Sequence, residues 1–353
     1  MPAVVLLVPG SIATRTGGYG YDRRIVAGLR ELGWQVTVRE LDGSFPRPTP
    51  SALQGAARAL AALPDGAVVL ADGLAYGAMP DEARAEAARL RIVALVHHPL
   101  AEESGLDAST AQALAASERA ALAAARHVVV TSHRTAARLP DYGVTPDRIS
   151  VVEPGTDPAP LAPGSGGEAV HLLCVASLTP RKGHAGLLRA LSRLTALPWR
   201  LTCVGGALHP PTAERLRELT ATLGLADRVT MAGEGDDAML AAAYAGADVF
   251  VLPTLYEGYG MVVAEALARG LPVVSTPTGA IAALVGEHAG VLVPPGDDAA
   301  LEAALRRVIG DPALRARLSE GARRVRAHLP TWADAASRMA DILTRTGSDG
   351  IFT

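Results

Sequence analysis

The sequence predicts two doubly wound parallel α/β domains joined by one short linker, and three observations carry that reading. Apolar runs of strand length alternate with amphipathic helical patterns along the whole chain, the signature of parallel α/β construction. At 353 residues, 49% hydrophobic and 20% charged, the chain is too long for one ordinary core and has ample material for buried sheets. Residues 156–167, "TDPAPLAPGSGG", are rich in Pro, Gly and Ser without periodicity, and the same alternation restarts after them. Domains are therefore expected over 1–160 and 161–330, with 331–353 as a further segment.

Element by element, "AVVLLVPG" is a strand and "YDRRIVAGLRELG" a helix stopped by Gly33. "WQVTVREL" is a strand, "TPSALQGAARALAAL" a helix and "AVVLADG" a strand. "DEARAEAARL" leads into the strand "RIVALVHH", and "ASERAALAAAR" into "HVVVTS". "HRTAARLPDYG" and the short strand "RISVVEPG" close the first half. The second half runs "VHLLCVASL", a helix from about Gly183, "WRLTCVGG", "PTAERLRELTATLG", "RVTMAG", "DDAMLAAAYAGA" and "DVFVLPT". A helix after Tyr259, the strands "LPVVSTPTG" and "GVLVPPG", and helices over "DDAALEAALRRVIGD" and "PALRARLSEGARRVRAHL" complete it. The tail "TWADAASRMADILTRT" is an amphipathic helix that belongs to neither repeat.

Composition narrows the function classes. Net charge is −3, which gives no electrostatic case for nucleic acid. Residues 1–160 carry 15 arginines, no lysine and 17 acids, a net of −2, so the basic surface that would favour anionic lipid is missing there. No apolar run approaches the roughly 18–20 residues of a membrane span. The opening run has no basic flank, so a first strand is expected rather than a signal peptide. Cys174 and Cys203 fall inside expected strands and no asparagine occurs; reduced core thiols in a cytoplasmic protein are the expectation.

Loops after strand ends hold the candidate chemistry, because ligands of open parallel sheets sit beyond the carboxyl ends of the strands. "SLTPRKGH" contains Lys182, the only lysine beside 32 arginines. A compact ammonium differs from guanidinium chiefly where a point charge meets phosphate. Arg181 and Lys182 stand at the mouth of a helix, which reads either as an anion site or as a solvated helix start. "EGYGMVVAE" puts Glu257 in a strand-end loop and Glu265 in an otherwise apolar helix. A carboxylate there is costly to bury without a partner and suits a diol, while the N–H groups of residues 258–261 suit a diphosphate. Gly17, Gly18 and Gly20 follow the first strand, as a site of close ligand approach or a plain turn. His97 and His98 end a strand and point to opposite faces. Metal ligation by them would need further ligands at suitable spacing, and Cys174 and Cys203 lie in strand interiors, so zinc is not expected.

These stretches resemble the family 4 retaining glycosyltransferases of GT-B architecture. Glu257 and Glu265, separated by seven residues, match the family's paired glutamates, and "ALARGLPVVST", "TPRKGH", "VVEPGTDP" and "TGGYGYDRRIVAGLRELGWQVTV" are similar to family segments. The resemblance implies two Rossmann-like domains facing across a cleft, a first that binds acceptor and a second that binds nucleotide sugar, with the tail from residue 331 packing back on the first. It implies transfer of a hexose, with a UDP-glucose-like donor preferred and GDP-mannose the alternative, to a hydroxyl of a small or glycan acceptor, without metal or other cofactor. Arg181 and Lys182 would neutralise the diphosphate, Glu265 would hold the ribose, and Glu257 would contact the sugar. Gly258, Tyr259, Gly260, Met261, Ser177, Gly205 and Glu234 would line the donor site. His97 or His98 would face the sugar from the first domain, and Gly17 and Gly18 would line the acceptor side. Ser177 departs from the pattern, since many members place an arginine there. A sugar-nucleotide epimerase of the same architecture and a noncatalytic sensor are the alternatives.

Overall fold

The computed structural model describes residues 1–103, 105–207 and 209–348. The chain divides into two compact units, Met1–Gly155 together with the segment from Pro330 onward, and Thr156–Leu329.

The first unit contains a six-stranded parallel sheet: β1 (Ala3–Pro9), β2 (Gln35–Leu41), β3 (Val68–Asp72), β4 (Arg91–Val96), β5 (His127–Val130) and β6 (Ile149–Val151). Their spatial order is β2-β1-β3-β4-β5-β6, so the direction of growth reverses between β1 and β3. The inner strands are covered by helices on both faces, which is why they read as unbroken Val, Leu and Ala runs rather than as alternation. Ile92, Val93, Ala94, Leu95 and Val96 are all 0–1% exposed.

The second unit repeats the plan with β7 (Val170–Val175), β8 (Trp199–Val204), β9 (Val229–Gly233), β10 (Val249–Leu252), β11 (Val273–Ser275) and β12 (Gly290–Leu292). Here the order is β12-β11-β10-β7-β8-β9, and the reversal falls between β7 and β10. Every pairing in both sheets is parallel. Cys174 and Cys203 lie opposite each other on β7 and β8, both reduced and buried.

Several helices start where the sequence supplies a capping oxygen. Thr16, Thr49, Asp107, Ser132, Asp236, Asp297 and Asp311 each accept from a backbone N–H in the first turn, satisfying donors the helix itself cannot. Two short helices, Gly73–Tyr76 and Ile281–Val285, have too few residues to show a period and are invisible to pattern reading. No described helix is long and apolar enough to cross a membrane.

The helix Trp332–Gly347 opens with a capping box between Thr331 and Asp334 and packs on the helix Gly17–Glu31 of the first unit. Its apolar face buries Ala335, Ala336, Met339, Ile342 and Leu343. The Trp332 ring meets Tyr21 edge-on at 5.8 Å, and the Arg24 guanidinium lies over the Trp332 ring at 5.7 Å. This docking needs two bare backbones. A Cβ at Gly28 would lie 2.4 Å from Ala336 Cβ, and one at Gly155 would lie 2.1 Å from the Trp332 nitrogen. Because the second obstacle is backbone, Gly155→Ala is expected to destabilise the first unit by roughly 1–3 kcal/mol, lowering Tm by about 2–10 °C. Calorimetry checks this, and an unchanged Tm would contradict the seating of the tail helix on Gly155.

Candidate functional site

In an open parallel sheet the crevice where strand order reverses is the place where loops from neighbouring strands part and leave room for a ligand. In the second unit those loops follow β7 and β10. The first carries Ser177, Arg181 and Lys182, and the second carries Glu257 and the start of the helix Met261–Ala268.

The β7 loop closes with a 3-10 turn over Pro180–Lys182 and then Gly183, at φ 75°. A Cβ on Gly183 would fall 2.0 Å from the Pro253 carbonyl oxygen, so only glycine lets the two loops touch. They are then stitched together by backbone and side chain. Leu255 N–H donates to Arg181 O at 2.7 Å, Arg181 Nη1 donates to Tyr256 O at 2.8 Å, and Thr254 Oγ1 donates toward Arg181 O and Tyr256 O.

On this scaffold the Lys182 ammonium donates to Glu257 Oε1, and Arg181 Nη1 lies 3.8 Å from the same oxygen. Glu257 is 8% exposed. Burial pushes its carboxyl up, but the charges of Lys182 and Arg181 outweigh burial and hold it below the usual carboxylate range. The carboxylate is therefore ionised, and both cations converge on one point. The adjoining helix begins at Gly260, which is left-handed and offers no side-chain cap, so its first N–H groups add positive potential beside the cations.

Glu265, on the second turn of that helix, has the partner its burial requires. The Tyr244 hydroxyl donates to Glu265 Oε2 at 3.0 Å and lies 3.2 Å from Val262 O. Burial raises the Tyr244 phenol well above its ordinary value, so it remains a donor, and the Arg269 guanidinium stacks 4.3 Å above its ring. Among the remaining donor candidates, Gly205 abuts the β7 loop, its missing Cβ position lying 1.9 Å from Ala176 O, one residue before Ser177. Glu234 is exposed at the end of β9, beside Gly206. Gly258 and Met261 are half-buried, while Tyr259 is buried and packs with Ala264 and Ala280, propping the loop.

The other candidates belong to the first unit. His97 follows β4, and its Nε2 lies 3.3 Å from Asp22 Oδ1 and 3.6 Å from Asp72 Oδ2. His98 Nε2 instead lies 3.3 Å from Glu103 Oε2. Gly17 opens the first helix, and Gly18 faces the His97 ring edge, a Cβ there standing 3.4 Å from Cδ2.

Residues 163–325 match the family model "Glycosyl transferases group 1", and residues 43–160 match "Glycosyltransferase Family 4". The chain belongs to the family 4 glycosyltransferases. It is 30% identical over 264 residues to the MMP alpha-(1->4)-mannosyltransferase of Mycolicibacterium hassiacum, covering 70% of this chain and 63% of that protein. It is 36% identical over 221 residues to the D-inositol 3-phosphate glycosyltransferase of Acidothermus cellulolyticus, covering 57% and 49%. The matches thus span between about half and 63% of these relatives' own length. Sucrose-phosphate synthase from Thermosynechococcus elongatus shares the fold with a TM-score of 0.84 at 23% identity, over 98% of this chain and 99% of that one. Anabaena HepE in complex with UDP-glucose does so with a TM-score of 0.78 at 18% identity, over 97% and 99%.

Several residues beside these candidates carry weaker signals, or none, in the sequence. Asp22 carried a usable signal, since it sits on the buried stripe of its helix with Tyr21, Ile25, Val26 and Leu29, where an acid is out of place. Asp72 ends the apolar run of β3, the same strand-end logic that found Glu257. Tyr244 carried none: it is one apolar position in an alanine-rich helix. Cys174, Cys203 and His184 also come together, with ligand atoms within 4.8 Å, because His184 opens the helix after Gly183 and reaches Cys174 at 3.7 Å.

Removing Glu257 leaves two partly buried cations uncompensated, so Glu257→Ala is expected to destabilise the second unit by roughly 3–5 kcal/mol. Because the folded carboxyl titrates below its unfolded value of 4.5, its contribution is present above that pH and is lost as pH falls through the folded value. Wild type should therefore lose stability below about pH 4.5 more steeply than Glu257→Gln. Parallel acid-denaturation curves would contradict the ion pair.

Proposed function

We propose that the protein is a retaining, metal-independent hexosyltransferase that moves a sugar from a nucleotide diphosphate to a hydroxyl of a small or glycan acceptor. The observation that carries this reading is the convergence of Lys182, Arg181 and an uncapped helix start at the reversal point between β7 and β10. Two cations meet one carboxylate there, so the cluster retains positive charge for an incoming pyrophosphate, and Glu257 holds both cations in place before it arrives. Glu265, presented by Tyr244, accepts the ribose hydroxyls.

The reaction breaks the bond between the sugar's anomeric carbon and the β-phosphate oxygen. The acceptor oxygen bonds the same face, and its proton passes to the departing phosphate oxygen. Negative charge grows on the diphosphate as it leaves, and that growth is what Lys182, Arg181 and the N–H groups of residues 258–261 stabilise. A UDP-glucose-like donor is favoured by the likeness to HepE, which was solved with UDP-glucose. The relative named as a mannosyltransferase supports GDP-mannose as the second choice. The −2 balance of residues 1–160 favours a dissolved acceptor over an anionic lipid surface.

Thermal-shift titration against a panel of sugar nucleotides identifies the donor, and transfer is then followed as release of the nucleoside diphosphate. Lys182→Ala is expected to lower turnover by about two or more orders of magnitude, the scale of losing one preorganised charge partner, with the helical circular dichroism intact. Near-wild-type turnover by that variant would overturn the role of Lys182. Donor interconversion without acceptor would identify an epimerase, and binding without donor cleavage a sensor.

A further inference from the structure

In the first unit, the reversal point between β1 and β3 holds two deeply buried carboxylates and one imidazole. Asp22 comes from the helix Gly17–Glu31, Asp72 from the end of β3, and His97 from the residue after β4. The Asp22 and Asp72 side chains are 0% and 4% exposed, and His97 is 20% exposed. The imidazole is thus the cluster's outlet. Its Nε2 is the atom turned inward, 3.3 Å from Asp22 and 3.6 Å from Asp72, and it is buried along with both Asp22 oxygens. The contacts are ionic rather than aligned hydrogen bonds, since neither Asp22 oxygen nor Nε2 meets hydrogen-bond geometry with any described residue. Asp72 Oδ1 is itself fixed by the Leu74 N–H at 2.7 Å. The Tyr21 ring closes one side, edge-on at 5.4 Å from the imidazole, and its hydroxyl is tied to Val152 O at 3.0 Å.

We propose that Asp22 and Asp72 are positioning residues that keep the His97 imidazole charged, so that its Nδ1–H, and not a basic lone pair, meets a neutral oxygen of a sugar or polyol substrate. This rests on the glycosyl-transfer reading above. Two carboxylates around one imidazolium leave no net positive charge, so an anionic group is not attracted, whereas a hydroxyl or ether oxygen can accept from Nδ1–H. Burial opposes this charge and the two carboxylates support it. Burial lowers the imidazole's proton affinity, but Asp22 and Asp72 more than reverse this and raise its pKa to about 10. Burial raises Asp22 to about 7 against the pull of His97. The Tyr19 phenol, raised to about 12 by burial and by Asp72, Asp22 and Glu40, stays neutral, as does Tyr21. An imidazole protonated throughout the neutral range has no lone pair to act as a base.

The test is a pH titration of the nine histidines by long-range 1H–15N NMR, with His97 assigned by its loss in His97→Gln. Wild-type His97 is expected to stay doubly protonated to beyond about pH 9. Asp72→Asn and Asp22→Asn should each bring its titration down by about one to three pH units, and Asp22→Glu should restore part of the shift. If Asp22→Asn does not fold, Asp72→Asn carries the comparison. With donor and acceptor identified, the variants' kcat/KM should gain an alkaline limb at the new titration point, a change that a purely structural role would not produce. Wild-type His97 titrating near 6.5 would overturn the proposal, as would resonances displaced by added Zn2+ and restored by chelator. The wild-type titration needs no turnover, so its failure is distinct from failure of the transfer reading.

Discussion

Glu257 is 8% exposed and ionised, and it is tolerable only while Lys182 and Arg181 stay against it. At an effective dielectric of 20, opposite charges about 4 Å apart attract by about 4 kcal/mol, and withdrawing each ion from water costs several. The sum is near zero, so the cluster adds little to stability and its value lies in position. It fixes an ammonium, a guanidinium and the loop that begins the helix Met261–Ala268 in one arrangement before any ligand is present. A pyrophosphate entering that arrangement meets charges that need not reorganise, which is the condition under which electrostatic stabilisation is largest.

The arrangement depends on backbone contact as much as on charge. The loops after β7 and β10 approach because Gly183 has no Cβ to strike Pro253 O, and from the other side Gly279 lies under Glu257, where a Cβ would fall 2.4 Å from Glu257 O. Thr276, the residue directly after β11, donates to Thr254 O at 2.6 Å. Three strand ends thus hold the carboxylate's own backbone, which explains how a side chain with so little net energetic return keeps one geometry.

What the sequence made legible follows from what period and punctuation encode. Buried parallel strands such as "VVLAD" and "DVFVL" and long amphipathic helices such as Trp332–Gly347 announce themselves, because each residue's face is set by local geometry. So do Lys182 and Glu257, which are polar residues placed just past strand ends. The short helix Ile281–Val285 was not legible, because one turn has no period. Tyr244 was not legible either: its hydroxyl reaches Glu265 across 21 residues of sequence, a tertiary pairing that no local pattern records. Asp22 lies between these cases. It breaks an apolar stripe in plain view, yet its partners Asp72 and His97 arrive from strands far along the chain.

The two reversal points differ in one decisive ratio. Between β7 and β10, two cations surround one carboxylate; around His97, two carboxylates surround one imidazole. The first cluster keeps unneutralised positive charge and gains from an anion. The second has none to spare and loses by accepting one, so it favours hydroxylic oxygen. Equivalent positions in two sheets of the same plan have therefore been given opposite electrostatic preferences by side chains alone. Neither cluster could take on the other's preference without reversing its ratio of acids to bases.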